Sequence, residues 1–421
     1  MTLLALLGFF TALVTFGLSW AVYRFALRFK LYPAIRERDV HTRPTPRLGG
    51  VAMFLGVLIA FGAAWLVASR FPLLQIVFND PEPVLGILGG SLLIVVIGVV
   101  DDLVDLDWMT KLAGQLVAAG LVAWSGVQIL SLPIGGLTVW SPLTSVILTV
   151  IVMVLSMNAI NFIDGLDGLV VGVALIANCV FLIYTYSITV RTSPLNYFSL
   201  ASVITAILIG ACVGFLPLNW HPAKMFMGDA GALLVGLLMS ASAVAVTGQF
   251  DPATLQHVVG RTHLVSAFLP IVLPLAVLVV PFLDFGLAVI RRVNGGRSPF
   301  AADRKHLHHR LLDMGHSHFH AVLIFYAWTA VVSVGMLLFS FAPAVPVWVA
   351  IAFVVVGLVV CTAVTLSPVG RRRAVMAAEA HGIEPTIEVT DAAAGAPLSS
   401  PVITPNPAPQ PDGRRAHKEA S

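Results

Sequence analysis

The chain has 421 residues, 58% of them hydrophobic and 11% charged, with a net charge of +3 and a mean hydropathy of +0.93. Soluble domains carry roughly 25% charged residues, so a soluble globular protein is excluded, and the small net charge argues against a nucleic-acid binder. Cys179, Cys212 and Cys361 all fall inside apolar runs, which excludes a disulfide framework and leaves them as small buried hydrophobes.

The first residues, "MTLLALLGFFTALVTFGLSW", lack a basic n-region and a clear small-residue cleavage site. They read as a retained first helix rather than a signal peptide. A bilayer core needs roughly 20 apolar residues per helix. In chain order, runs of that kind lie near 3–24, 49–69, 84–102, 111–129, 144–161, 167–189, 197–216, 230–248, 264–289, 321–341 and 346–367. The predicted fold is therefore an all-α polytopic membrane protein of about eleven transmembrane helices, with residues 1–367 as its transmembrane domain. Beyond that, "AAAGAPLSSPVITPNPAPQPDG" marks 368–421 as a disordered Ala/Pro-rich tail. Arg371, Arg372 and Arg373 at its start read as a topology signal first and as contacts to anionic lipid headgroups second.

An odd number of spans puts the termini on opposite sides. Of the 24 Lys and Arg residues, only Arg70, Arg191 and Arg261 lie in the even-to-odd connections. The positive-inside rule then predicts an outside N-terminus and a cytoplasmic C-terminus.

The polar clusters fall on one side of that arrangement. "VVDDLVDLDW", "NFIDGLDG", "MFMGDAG" and "RKHLHHRLL" come from four connections, all predicted to face the cytoplasm, while only Asp80, Glu82 and Asp251 lie opposite. Acidic residues contribute little to topology, so this gathering points to one site. Asp101 and Asp102 are adjacent carboxylates, which stay ionised together when water or a cation offsets them. Mg²⁺ does this well, keeping waters and substrate phosphates as its other ligands. Asp105 and Asp107 read equally well as acidic decoration of a helix end, and the run lacks the Gly and Glu of an EF-hand loop.

"NAINFIDGLDG" offers Asn158, Asn161, Asp164 and Asp167 at intervals of three, with Gly165 and Gly168 permitting a turn. Asp167 could equally cap the next helix. "KMFMGDAG", with Gly228, Asp229 and Gly231 before an apolar run, resembles a helix start that favours anions. In "RRVNGGRSPFAADRKHLHHR", His306 and His309 are spaced to share a helical face, with His308 on another. Arg292, Arg304 and Arg310 there are donors suited to diphosphate. Zinc is disfavoured because the neighbouring groups are carboxylates and amides and no Cys joins them. A transporter would set its carboxylates near the midplane, open to both sides. Gathered at one face, they suit phosphoryl chemistry between a cytosolic nucleotide and a lipid.

These clusters, in this order and with "RPTPRLGG" (Arg43 to Gly50) after the first helix, resemble the polyprenyl-phosphate N-acetylhexosamine-1-phosphate transferases over about residues 30–367. The broken run "HLHH" is similar to the branch that transfers N-acetylglucosamine 1-phosphate, whereas the phospho-N-acetylmuramoyl-pentapeptide transferases typically carry three histidines in a row. Phospho-N-acetylmuramoyl-pentapeptide transfer, or another UDP-sugar, is the alternative specificity, and transport of a cation or organic anion the alternative class. "RERDVHTRPTPRLGG" and the tail look actinobacterial, which makes decaprenyl phosphate the expected acceptor, with undecaprenyl phosphate beside it.

The resemblance implies transfer from UDP-N-acetylglucosamine to polyprenyl phosphate with release of UMP, an opening membrane step of cell-envelope glycan assembly. It implies a site at the cytoplasmic face of a bacterial plasma membrane, with Mg²⁺ as cofactor and Mn²⁺ as its substitute. Family members often form homodimers. Mg²⁺ would be held by Asp229 with Asn161 or Asp102. Asp101 would remove any residual proton, with a covalent aspartyl intermediate as the other route. Phe226 would stack on uracil, Asp167 would bind its edge, and His308, His309 and Arg292 would hold the diphosphate. Asn158, Asp164, Arg304, His306 and Arg310 complete the expected substrate contacts, and Asp284 is a candidate counter-ion to Arg291 and Arg292.

Overall fold

The computed structural model describes residues 1–32, 45–129, 131–132, 138–139, 141–192, 199–249, 311–312, 314–341 and 344–367, together with Gly286 and Ile290. The described helices are α1 (Thr2–Arg28), α2 (Gly49–Ala68), α3 (Pro72–Phe78), α4 (Glu82–Val104), α5 (Trp108–Trp124), α6 (Pro142–Ile163), α7 (Leu169–Thr192), α8 (Leu200–Asn219), α9 (Gly228–Gln249), α10 (His318–Ser340) and α11 (Val347–Leu366). Nine of them are long and apolar enough to cross a membrane. The expected fourth span is α5, whose 17 residues make it shorter than those nine. The expected span near 264–289 and the tail from 368 lie outside the described residues.

Two features depart from the expected pattern. A short helix, α3, follows Phe71 between α2 and α4, with Pro72 at its first position, where a missing N–H costs nothing. A small antiparallel hairpin pairs β1 (Ser131–Leu132) with β2 (Thr138–Val139) between α5 and α6. Regular structure among the described residues is otherwise helical, as lipid requires of backbone that must satisfy its own hydrogen bonds.

Helix starts are set by local chemistry. Ser141, Ser199 and Ser317 accept from Thr144, Ser202 and His320 backbone N–H groups at the heads of α6, α8 and α10. Hydroxyls inside the bundle are satisfied by the preceding turn: Thr149, Thr205 and Thr329 each donate to the carbonyl four residues back.

Packing is organised around α9, which is almost wholly buried and lies against α2, α4, α6 and α8. Its sequence, "GDAGALLVGLLMSASAVAVTG", explains this. Small side chains let neighbouring backbones approach, which drives helix association where lipid removes the hydrophobic contrast. Gly98 of α4 fits against Ala230, and Gly236 fits against the backbone of Met157 in α6. On the other side, Gly210 and Gly214 of α8 bring its backbone onto that of α1 at Gly8 and Ala12. At the periphery, α11 packs on α10 and exposes most of its length.

Candidate active site

One end of the bundle collects the ends of α4 and α6, the starts of α2, α5 and α9, and the connection from α8 to α9. The chain before α2 is stitched to the chain before α9. Phe226 N–H donates to Pro46 O (2.9 Å), Gly49 N–H to Phe226 O (3.0 Å) and Gly50 N–H to Met227 O (2.9 Å). The "RPTPRLGG" and "KMFMGDAG" motifs, about 180 residues apart, thus form one backbone unit. Gly50 lies against the Gly231 amide, where any side chain would collide.

The carboxylates sit against this unit. Asp101, in the last turn of α4, is 7% exposed. Its Oδ1 accepts from Leu106 N–H (2.9 Å), and its Oδ2 lies 2.5 Å from Lys111 Nζ. That ammonium also reaches Asp229 Oδ2 at 2.7 Å, so Lys111 bridges α4 and α9 from the first turn of α5. Asn161 of α6 faces the Asp229 carboxylate from the other side.

Asp102 points toward the turn at Gly228. Its Oδ2 is buried with no hydrogen-bond partner, and Gly228, at φ +65°, leaves no room for a Cβ beside that oxygen and the Arg47 carbonyl. Arg47 acts electrostatically on Asp102 and Asp164. Asp164, at the end of α6, is exposed, yet the surrounding protein strips enough water to push its carboxyl up to about 7. The Asp229 charge adds to that shift and Arg47 opposes it.

The rest of the glycine-bounded turn is held tightly. Asp167, 6% exposed, accepts at Oδ2 from His221 Nδ1 (2.7 Å) and from Ala223 N–H (3.0 Å). Gly168, at φ +75°, donates its N–H to Asn219 Oδ1 (3.1 Å), and its carbonyl accepts from Tyr326 OH (2.6 Å). Phe226 is half-buried in the stitched segment. Asn158 lies a turn deeper in α6, donating from Nδ2 to Gln115 Oε1 (2.6 Å) and to Val154 O.

Asp101, Asp102, Asn161, Asp164 and Asp229 are therefore brought together, with Asp167 and Phe226 on the adjoining connections. Asp107 serves as the N-cap of α5, accepting from Met109 and Thr110 N–H groups, and Asp105 is the left-handed residue closing α4. His306, His308, His309, Arg292, Arg304, Arg310 and Asp284 lie outside the described residues. Two participants escape the sequence reading. Lys111 is a lone cation at the head of a span, where the topology rule already accounts for it. His221 carries no local signal, since its contact with Asp167 joins residues 54 positions apart.

Comparison with known proteins places this geometry in context. Residues 84–247 match the model of "Glycosyl transferase family 4". The chain is 40% identical over 338 residues to a decaprenyl-phosphate N-acetylglucosaminephosphotransferase of Mycolicibacterium smegmatis, covering 79% of this chain and 81% of that one. It is 32% identical over 307 residues to a probable undecaprenyl-phosphate N-acetylglucosaminyl 1-phosphate transferase of Bacillus subtilis, covering 72% and 76%. A phospho-N-acetylmuramoyl-pentapeptide-transferase of Halalkalibacterium halodurans is 30% identical over 357 residues, covering 80% and 95%.

Proposed function

The chain belongs to glycosyl transferase family 4, and on that premise we propose that it transfers N-acetylglucosamine 1-phosphate from UDP-N-acetylglucosamine to a polyprenyl phosphate, decaprenyl phosphate first, releasing UMP. An oxygen of the lipid phosphate attacks the sugar-bearing phosphorus. The bond from that phosphorus to the bridging oxygen breaks, and UMP leaves with the bridging oxygen. The observation that carries this reading is the convergence of Asp101, Asp102, Asp229 and Lys111 from three helix ends at one end of a membrane bundle.

The main obstacle is charge. A phosphate with a second pKa near 6 is close to a dianion at pH 7, and it must approach an anionic diphosphate. Neutralisation and alignment therefore dominate over proton removal. Lys111 offsets two carboxylates and presents an ammonium to an arriving phosphate. Asp101, held by Leu106 N–H and Lys111, is placed to take any residual proton. Asp167 serves the base side of the nucleotide from the turn after α6, and Phe226 serves it from the turn before α9.

The donor set fits a hard cation. Among the described residues no group of three His, Cys, Asp or Glu side chains is arranged as a ready cage. Mg²⁺ characteristically needs no such cage, taking one or two carboxylates and substrate phosphates. The orphaned buried Oδ2 of Asp102, with the Asp229 carboxylate and the Asn161 amide near it, offers oxygen donors of the kind such an ion takes. When bound, Mg²⁺, or Mn²⁺ in its place, would neutralise the developing charge on the diphosphate. We assign the site to the cytoplasmic face, where the basic connections put it.

The test is UMP release by purified protein given both substrates and Mg²⁺. Release that requires lipid, UDP-N-acetylglucosamine and metal supports the assignment. Release only with UDP-N-acetylmuramoyl-pentapeptide would move the chain to the alternative specificity, and none with any UDP-sugar would overturn the transferase reading.

A further inference from the structure

We propose that His221 is a positioning residue for the nucleotide half of the reaction, fixing the carboxylate of Asp167 from the solvent side; this rests on the transferase reading above. The Asp167 side chain is only 3% exposed, whereas that of His221 is 46% exposed. The imidazole thus covers a buried carboxylate from outside.

The geometry around this pair is over-determined. Nδ1–H of His221 (2.7 Å) and N–H of Ala223 (3.0 Å) both donate to the same oxygen, Oδ2, which sets the plane of the carboxylate. The next residue, Gly168, has both backbone groups tied down, one by Asn219 at the end of α8 and one by Tyr326 of α10. The ring of His318, the first residue of α10, lies parallel to that of His221 at a centroid distance of 5.7 Å and an interplanar angle of 6°. It limits rotation of the imidazole. Three separate elements therefore fix one Asp–Gly dipeptide.

Stability alone gives little reason for this arrangement. A pair with one partner half in water typically contributes no more than about 1 kcal/mol, and Ala223, Asn219 and Tyr326 already hold the turn. What His221 adds is a defined direction for an acceptor that meets the nucleobase edge. Uracil presents one N–H donor there, and an ionised carboxylate accepts but cannot donate. A rotated Asp167 would lose that match without unfolding anything.

The experiment is steady-state kinetics of the full chain, varying each substrate at saturating levels of the other. His221→Ala should raise KM for UDP-N-acetylglucosamine about tenfold, the loss expected for one hydrogen bond to a charged group. Both kcat and KM for the lipid should stay within about threefold, because uniform binding is what has been removed. His221→Gln, whose amide still donates, should recover most of the affinity. His318→Ala should raise the same KM by a smaller factor.

Unchanged KM in His221→Ala would overturn the proposal. So would a parallel loss of kcat and melting temperature that His221→Gln does not rescue, since that is the behaviour of a purely structural contact. Wild-type protein that releases UMP separates these outcomes from failure of the transferase reading. A wild type that releases none with any UDP-sugar removes both.

Discussion

Lys111 is the residue on which the carboxylates of Asp101 and Asp229 depend. With its ammonium 2.5 Å from Asp101 and 2.7 Å from Asp229, it carries a charge that water cannot fully replace. Lys111→Met should cost about 1–3 kcal/mol, less than for a fully buried pair because Lys111 and Asp229 retain some solvent contact. UMP release should fall by about a hundredfold or more, since a preorganised positive group has been lost at the reacting phosphates. Adding Asp229→Asn should restore much of the melting temperature and none of the turnover, which melting curves and UMP assays on the same samples separate. Asp164 makes a different statement. Its folded pKa of about 7 lies above the ordinary 3.8, so the folded state holds a proton that the unfolded chain releases. The stability tied to that proton is complete below about pH 4 and is lost as pH rises through about 7. Without divalent cation, the melting temperature should therefore decline from pH 5 to 8, and Asp164→Asn should reduce the slope by its share. An equal slope in that variant would remove Asp164 as its cause.

Helix ends carry most of the site, and they explain what could and could not be read in advance. The spans were legible because lipid demands long apolar runs: α2, α4, α6 and α8 begin or end within a few residues of the expected limits. The carboxylate cluster was legible because ionisable groups beside such runs are costly without a role. The hairpin β1–β2 and helix α3 were not, since segments of two and seven residues carry too little periodicity to register. Asp107 was open to two readings by composition, and the structure makes it a cap. Asn158 and Asn161 look equivalent along α6, but the first is tied to Gln115 across the interface with α5. Such interhelical bonds average about 0.6 kcal/mol. Asn158→Ala should therefore lower stability slightly and leave turnover within about threefold, whereas Asn161→Ala should lose most activity; equal losses in assays of both would return Asn158 to the substrate. The start of α9 is stricter still. Gly228 has φ +65° and abuts the Asp102 carboxylate, so Gly228→Ala adds strain of order 1–2 kcal/mol and a collision at the site. The folded fraction should fall modestly and UMP release severely; a Gly228→Ala enzyme with normal kinetics would show that Asp102 has no fixed place there.

The bundle as a whole solves a problem of two solvents. A water-soluble nucleotide and a lipid must meet, so the reacting groups have to stand where helices leave the bilayer. Every connection that contributes to the site joins helices at the same end, and the spans alternate direction between contributions. Such clustering follows from topology alone if each odd-numbered connection between spans is reserved for polar chemistry and each even one for return. It also fixes what an inversion of the protein would do: the entire site would change sides together, since Lys111, Asp101 and Asp229 cannot be separated without breaking their contacts. On the proposed assignment, which rests on the positive-inside rule, that end faces the cytoplasm. In a chain whose three native cysteines are replaced by alanine, a single cysteine at Asp105 should react with a membrane-impermeant maleimide in inverted vesicles and stay protected in intact cells. One at Gly126, at the far end of α5, should show the reverse. Labelling of both from the same side would mean that α5, the short helix between them, does not cross the membrane. The opposite pattern at both positions would turn the site outward, where cytosolic UDP-sugars could not supply it.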